Sequence, residues 1–360
     1  MSSKQNVENG GQVVYVSHES KILKDNPLDD PWARNFPVYL PAEYQQKPQR
    51  RYPVLFDLVG YTGSGHSHTN WRNFEENVPE KLNRLISTGA MPPCIVVFPD
   101  CFTSLGGNQY INSSAIGRYA DYLTRELVPC IDREFRTKAA REHRGCFGKS
   151  SGGYGAMVHA MKYPDTWGAI ANHSGDSYFE FVYQAEWPAV LTTLQRYATT
   201  EKRKQPPQTA SARPGMDDGR IGRFLKDVHS RDQLQGSDIM ALMMICMAAT
   251  YDPDRKAPLG FRIPYDLNTG ELLEKRWARW RRHDPIHMVA EHRKNLARAR
   301  GIYIDCGWRD QYHIHFGTRR LSLALKKHNI KHRYEEFDGT HSGIDARMDK
   351  SLPYLAKVLR

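Results

Sequence analysis

Apolar residues along this chain gather in short runs separated by polar or glycine-containing stretches, and the period within each run assigns it. Val13 to Val16 and Phe36 to Leu40 read as strands joined by a polar loop. Tyr52-Pro-Val-Leu-Phe-Asp-Leu58 runs directly into glycines at 60, 63 and 65, which is a strand followed by a turn. Phe74 to Thr88 has helical spacing, Cys94 to Phe98 is a strand ending in Pro-Asp, and Gly117 to Phe135 is helical again. The alternation then repeats: Arg144 to Gly148 strand, Gly152 to Lys162 helix, Trp167 to Asn172 strand. It resumes with Ile302 to Cys306 as strand, Phe316 to His328 as helix, Arg333 to Phe337 as strand and Ile344 to Leu359 as the closing helix. Strands alternating with helices imply an α/β fold whose mainly parallel central sheet is flanked by helices on both faces.

Between Asp176 and Ala290 no such series of strands appears, and the sequence turns helical, aromatic and proline-containing. The expected organisation is therefore a core formed by 1–175 and 291–360, interrupted by a largely helical cap insertion over 176–290. Within it, 201–220 is rich in Pro, Gly, Gln and charge, which predicts a mobile loop. Met240, Met243, Met244 and Met247 recur at helical spacing behind Ser237-Asp238. They predict an apolar helix face packed into the insertion, with a pliable acyl-group pocket as the second reading.

Composition narrows the class. Hydrophobic residues at 40% and charged residues at 25% belong to a globular chain, not a disordered or fibrous one. Residues Met1 to Gln12 are polar, and the longest apolar run, Ile239 to Ala249, is about half of the ~20 residues a membrane span needs. The expectation is a soluble, unexported, cytoplasmic protein that uses no membrane. The cysteines at 94, 101, 130, 146, 246 and 306 have no zinc or redox spacing and are expected as buried free thiols. Of the net charge of +11, the segment Glu274 to Arg300 supplies +6, from nine Lys or Arg against three acidic residues. It lacks a nucleic-acid module or aromatic ladder, so a solvated helix face is expected and nucleic acid is not a partner.

The strongest chemical signal is Gly148-Lys149-Ser150-Ser151-Gly152-Gly153, set between an expected strand and an expected helix. A serine on a sharp strand-to-helix turn needs neighbours without side chains, and the glycines at 148 and 152 supply that clearance. Ser150 holds the central position and is the expected nucleophile. Ser151 opens the helix and offers its backbone N–H to an oxyanion. A base and an acid are then sought downstream, on loops that follow strands. Asp310 follows the strand ending at Cys306, and His341 follows the strand ending at Phe337. Asp305 and Asp338 are the alternatives for the acid; the first falls within a strand, and the second is close to His341 along the loop. Tyr61 N–H, in Gly60-Tyr61-Thr62-Gly63, is the expected second oxyanion donor.

Around this centre, His66 and His68 could suggest a metal pair, but no acidic or cysteine partner is near in sequence, so no metal is expected. Instead, His66 is placed at the substrate mouth with Trp71. Lys149 either holds an anionic part of the substrate, or points into solvent or pairs with an acid. Tyr178, Phe179, Phe181, Tyr183 and Trp187 follow Asp176 and are expected to cover the pocket, with Trp187 among the substrate contacts.

These motifs together resemble an esterase family of the α/β-hydrolase superfamily. It includes esterase D, also called S-formylglutathione hydrolase, with siderophore esterases, feruloyl esterases and mycolyltransferases. The resemblance rests on Val38-Tyr-Leu-Pro-Ala-Glu-Tyr44 followed by Tyr52-Pro-Val-Leu, the glycine loop at 60 to 63, Phe98-Pro-Asp100, Gly148-Lys-Ser-Ser-Gly-Gly-Tyr-Gly155 and Gly339-Thr-His341. It implies Ser150 as nucleophile, Asp310 as acid, His341 as base, and the amides of Tyr61 and Ser151 as the oxyanion hole. Two features depart from the family pattern: Val59-Gly60 stands where His-Gly is usual, and the insertion of roughly 110 residues is long. The implied activity is hydrolysis of a small-molecule carboxylic ester or thioester without a cofactor. Acyl transfer by the same residues, or a catalytically silent binding protein of this fold, are the alternatives. A homo-oligomer stays open.

Overall fold

The computed structural model describes residues 10–199 and 217–360. Eight strands form one sheet: β1 (Gln12–Glu19), β2 (Ala33–Leu40), β3 (Val54–Leu58), β4 (Ile95–Val97), β5 (Arg144–Lys149), β6 (Ala169–His173), β7 (Gly301–Gly307) and β8 (Arg333–Phe337). Their spatial order is β1-β2-β4-β3-β5-β6-β7-β8. β1 and β2 pair antiparallel, as do β2 and β4, and every later pairing is parallel.

Burial explains the sequence runs. β3, β6 and β7 are buried at every position, as strands covered on both faces must be, whereas the edge strands β1 and β8 alternate or stay half-buried. Side chains alternate between two cores, with the period of two that a strand imposes. Val54, Phe56 and Leu58 join Cys146, Ile170, Ile302 and Ile304 on one face. Leu55, Phe147, Ala169, Ala171 and Tyr303 pack on the other.

Helices close both faces. α1 (Val78–Ser87) starts at a capping box between Asn77 and Glu80 and lays Val78, Leu82 and Leu85 on the second core, beside α10 (Met348–Val358). On the first core lie α2 (119–134), which widens to a π-type turn over Tyr122–Leu127, and α3 (Ser151–Lys162). The expected helix from Gly117 begins two residues later, because Gly117–Arg118 pairs with Asn112–Ser113 in a small hairpin.

The stretch 176–290 carries α4 (Trp187–Gln195), α5 (Arg220–Val228), α6 (Gly236–Tyr251), α7 (Glu274–Arg281) and the start of α8 (Pro285–Leu296). Most of the loop expected at 201–220 lies outside the described residues. Its last residue does not fit that expectation: Arg220 opens α5 fully buried, bonded to Asp218, Gln195, Asn268 and the Leu267 carbonyl. The basic face of α7 is partly spent internally, since Arg276 and Arg279 both pair with the buried Asp252. All six cysteines are buried and free. Among the described residues no helix is long and apolar enough to cross a membrane. α9 (Ile314–Lys327) links β7 to β8.

Candidate active site

A parallel sheet delivers the loops that follow its strands to one edge, and five such loops meet here. β5 ends at Lys149 and α3 begins at Ser151, leaving Ser150 alone in the turn with φ 54° and ψ −124°. Only clearance on both sides permits that conformation. A Cβ on Gly148 would stand 2.1 Å from the Leu58 carbonyl oxygen, and one on Gly152 would stand 1.7 Å from the same atom. The Ser150 N–H donates to the His173 carbonyl at 3.0 Å, fixing the turn against β6.

Asp310 and His341 come from the loops after β7 and β8. The Arg309 N–H donates to the Gly339 carbonyl at 3.0 Å, and the Trp308 N–H to the Phe337 carbonyl at 3.0 Å, so the two loops are bonded to each other. His341 Nδ1 lies 2.7 Å from Asp310 Oδ2, while Asp310 Oδ1 accepts from the Tyr312 N–H at 2.9 Å. Burial alone would raise the Asp310 carboxyl, but the hydrogen bond and charge of His341 and the amides of Tyr312 and Ile314 hold it below its usual range. The Gln311 side chain accepts from the His341 N–H at 3.0 Å.

The other acid candidates are engaged elsewhere. Asp305 is fully buried and bonded to His173 Nδ1 at 2.6 Å, Arg347 Nε at 2.8 Å and the Tyr303 hydroxyl at 3.0 Å. His173 Nε2 in turn meets Ser351 Oγ at 2.8 Å. That Ser-His-Asp chain resembles a catalytic one, yet each member is 0% exposed, which leaves no path for a substrate. Asp338 pairs with Arg309 at the surface.

Ser150, His341, Lys149, Gly60, Tyr61 and Thr62 line a cavity of about 410 Å³ together with Val182, Tyr183, Ile239, Met240 and Met243. The position a Gly60 Cβ would take is 3.5 Å from Ser150 Cβ, so the turn after β3 runs against the elbow. Tyr61 is pinned there: its ring packs on Gly106 and Gly107, and its hydroxyl donates to the Leu105 carbonyl at 2.7 Å. Ser151 is the first residue of α3, so its N–H has no acceptor within the helix. The methionine helix divides as its spacing allows: Met240 and Met243 face the cavity, while Met244 and Met247 are buried in the core.

Three expected substrate contacts fall elsewhere. His66 turns back to the sheet, its Nε2 2.7 Å from the Asn35 carbonyl and its ring stacked on Tyr15. Trp187 is fully enclosed between Tyr265 and Trp280 as part of the hydrophobic core. Trp71 is 66% exposed and does not line this cavity. His68 diverges from His66 and bonds the buried Asp57 at 2.6 Å. Lys149 does line the cavity, but its ammonium pairs with Asp345 at 2.7 Å, and Arg72 holds the other Asp345 oxygen at 2.9 Å. Burial would raise the Asp345 carboxyl; Lys149, His68 and Arg72 overcome that and bring it down to about 2.

Sequence reasoning missed Asp345 and Asp176. Asp176 follows β6 at the same sheet edge as the other four loops, which is the signal that could have found it.

The strand order, the left-handed serine turn and the acid–imidazole pair at one sheet edge define an α/β-hydrolase. The family model described as "Putative esterase" matches residues 31–345, and the chain belongs to that family. Among curated proteins, Esterase Rv1288 of Mycobacterium tuberculosis is 32% identical over 174 residues, 47% of this chain and 33% of the relative. An endo-1,4-beta-xylanase/feruloyl esterase of Xylanibacter ruminicola is 31% identical over 144 residues, 39% of this chain and 19% of the relative. The chain thus spans a third or less of these relatives. Among solved structures, a ferulic acid esterase superposes with a TM-score of 0.56 at 18% identity, covering 97% of this chain and 99% of that one. An S-formylglutathione hydrolase from Agrobacterium tumefaciens gives 0.55 at 20% identity, covering 99% of each. At such identities these structures speak to the fold alone.

Proposed function

We propose that the protein hydrolyses a carboxylic ester or thioester through an acyl-enzyme, with Ser150 as nucleophile, His341 as general base and Asp310 as its orienting acid. The observation that carries this is the 2.7 Å bond from Asp310 to His341 Nδ1, which leaves Nε2 of an imidazole that lines the same cavity as Ser150. A carboxylate on Nδ1 sets the tautomer in which Nε2 is the basic nitrogen. His341 then takes the proton of Ser150 as Oγ attacks the ester carbonyl. The N–H groups of Tyr61 and Ser151 receive the oxyanion. His341 returns the proton to the departing alcohol or thiol, and the same nitrogen activates water to release the acid.

The insertion over 176–290 serves as the cap of this site, because Val182, Tyr183, Ile239, Met240 and Met243 line the same cavity as Ser150. Its apolar wall suits the non-reacting body of an organic ester.

Ser150→Ala tests the reading. Turnover of a chromogenic short-chain ester should fall about 10^4-fold or more, and covalent labelling by a fluorophosphonate should disappear. Hydrolysis or labelling that persists in the variant rejects the assignment.

A further inference from the structure

One wall of the cavity is not apolar. Asp176 lines it from the loop after β6, 5% exposed, and among the described residues no Lys or Arg pairs with it. Its protein partners are neutral and share one oxygen. Oδ2 accepts from the Tyr183 hydroxyl at 2.7 Å and from Gln109 Nε2 at 3.2 Å. Neither residue can move away cheaply, since Gln109 is also bonded to Ser151 Oγ at 2.7 Å and Tyr183 is packed among Phe179, Tyr251 and Trp280. The other oxygen, Oδ1, has no donor among the described residues.

Solvent can meet this acceptor while the cavity is empty, but a ligand that displaces the solvent without bringing a donor leaves it unpaired, so the site discriminates against ligands that lack its complement. We propose that Asp176 is a specificity residue, selecting esters that carry an O–H or N–H donor on the group occupying the cavity. The inference rests on the hydrolase reading above. The donor meets Oδ1, while the apolar stem between donor and ester lies along Met240, Met243 and Ile239. A hydroxyl and an ammonium share this chemistry; the ammonium would add charge attraction to a carboxylate whose present partners carry none.

Tyr183 and Gln109 make the inference sharp. Both present hydrogens at the Oδ2 position, so in Asp176→Asn the amide keeps these two bonds by placing its carbonyl there and its NH2 where Oδ1 now stands. The variant offers the cavity a donor in place of an acceptor, so the advantage of a donor-bearing ligand should be lost.

The test uses the full chain and matched 4-nitrophenyl esters: 6-hydroxyhexanoate, 6-aminohexanoate and 6-methoxyhexanoate, then 4-hydroxyphenylacetate against 4-methoxyphenylacetate. A leaving-group pair, 3-hydroxypropyl against 3-methoxypropyl acetate, is followed by acid release. In at least one series kcat/KM for the hydroxyl or ammonium member should exceed that of the ether about ten-fold, the size of one hydrogen bond to a charged acceptor. A greater gain for 6-aminohexanoate than for 6-hydroxyhexanoate identifies the ammonium as the preferred source. In Asp176→Asn the hydroxyl member should lose its advantage over the ether, since both oxygens accept from an NH2, and the ammonium member, which cannot accept, should become slower than the ether. Equal rates within every pair of the native protein overturn the proposal without any variant, as does a ratio that Asp176→Asn leaves unchanged. Fluorophosphonate labelling of the native protein is read in parallel; its absence fails the hydrolase reading itself, and the specificity role falls with it.

Discussion

His341 Nδ1 and Asp310 Oδ2 stand 2.7 Å apart although 31 positions separate the two residues along the chain. The sheet accounts for this: β7 and β8 run side by side with Gly307 opposite Phe337, and each strand feeds one of the two loops. If Asp310 sets the imidazole tautomer, Asp310→Asn should lower kcat about 10^3- to 10^4-fold with little change in KM. Steady-state kinetics on a soluble ester checks this, and near-native turnover would move the acid role elsewhere.

The elbow depends on missing side chains. Gly152→Ala puts a methyl carbon 1.7 Å from a β3 carbonyl oxygen, both fixed in the core, so β3 or α3 must shift. The expected loss is about 3 kcal/mol or more. Gly222, inside α5, has nothing within 4 Å of its Cβ position, and Gly222→Ala should stabilise by about 0.5–1 kcal/mol. Denaturant titration of the two variants should shift the midpoint in opposite directions.

Lys149 and Asp345 join the elbow to the segment just past His341. On that geometry, Lys149→Ala loosens the placement of His341 and should lower kcat about ten-fold, with Lys149→Arg restoring most of it. Had Lys149 bound an anionic part of the substrate, the loss would appear in KM instead. The split between the two parameters decides.

His159 makes stability depend on pH. Enclosed at 0% exposure, its Nδ1 accepts from Trp167 Nε1 and its Nε2 meets the Tyr110 carbonyl, and burial pushes its pKa down to about 4. In the unfolded chain it titrates near ~6.5, so between those values the unfolded state binds the extra proton. Its contribution is therefore complete above about pH 6.5 and is lost as pH falls toward 4, by at most about 3 kcal/mol. Tm measured from pH 7 to pH 4 should show that slope, and His159→Gln should flatten it.

Much of this was legible locally. The strands of the large sheet from Phe36 to Phe337 could be read from the sequence, though the small hairpin of Asn112–Ser113 and Gly117–Arg118 could not, and Gly148 and Gly152 announced a turn with no room for side chains. Asp310 and His341 were reachable because order along the chain tells which loops share a sheet edge. The misplacements have a different origin. Trp187 and His66 look like mouth residues because aromatic and imidazole side chains suit either a pocket or a core. Trp280 and the Asn35 carbonyl, which decide between the two, are distant in sequence. Asp176 escaped notice for the same reason, since its neighbour Gln109 lies 67 positions away along the chain.

The amino-acid order by itself determined the succession of strands and helices, the serine turn and the candidates for acid and base, because these follow from local period and from glycine's lack of a side chain. Tertiary packing alone decided which carboxylate meets His341, where Lys149 spends its charge and which polar group faces the cavity. A side chain's hydrogen-bond partner is set by distance in space, and burial removes the water that would otherwise make partners interchangeable.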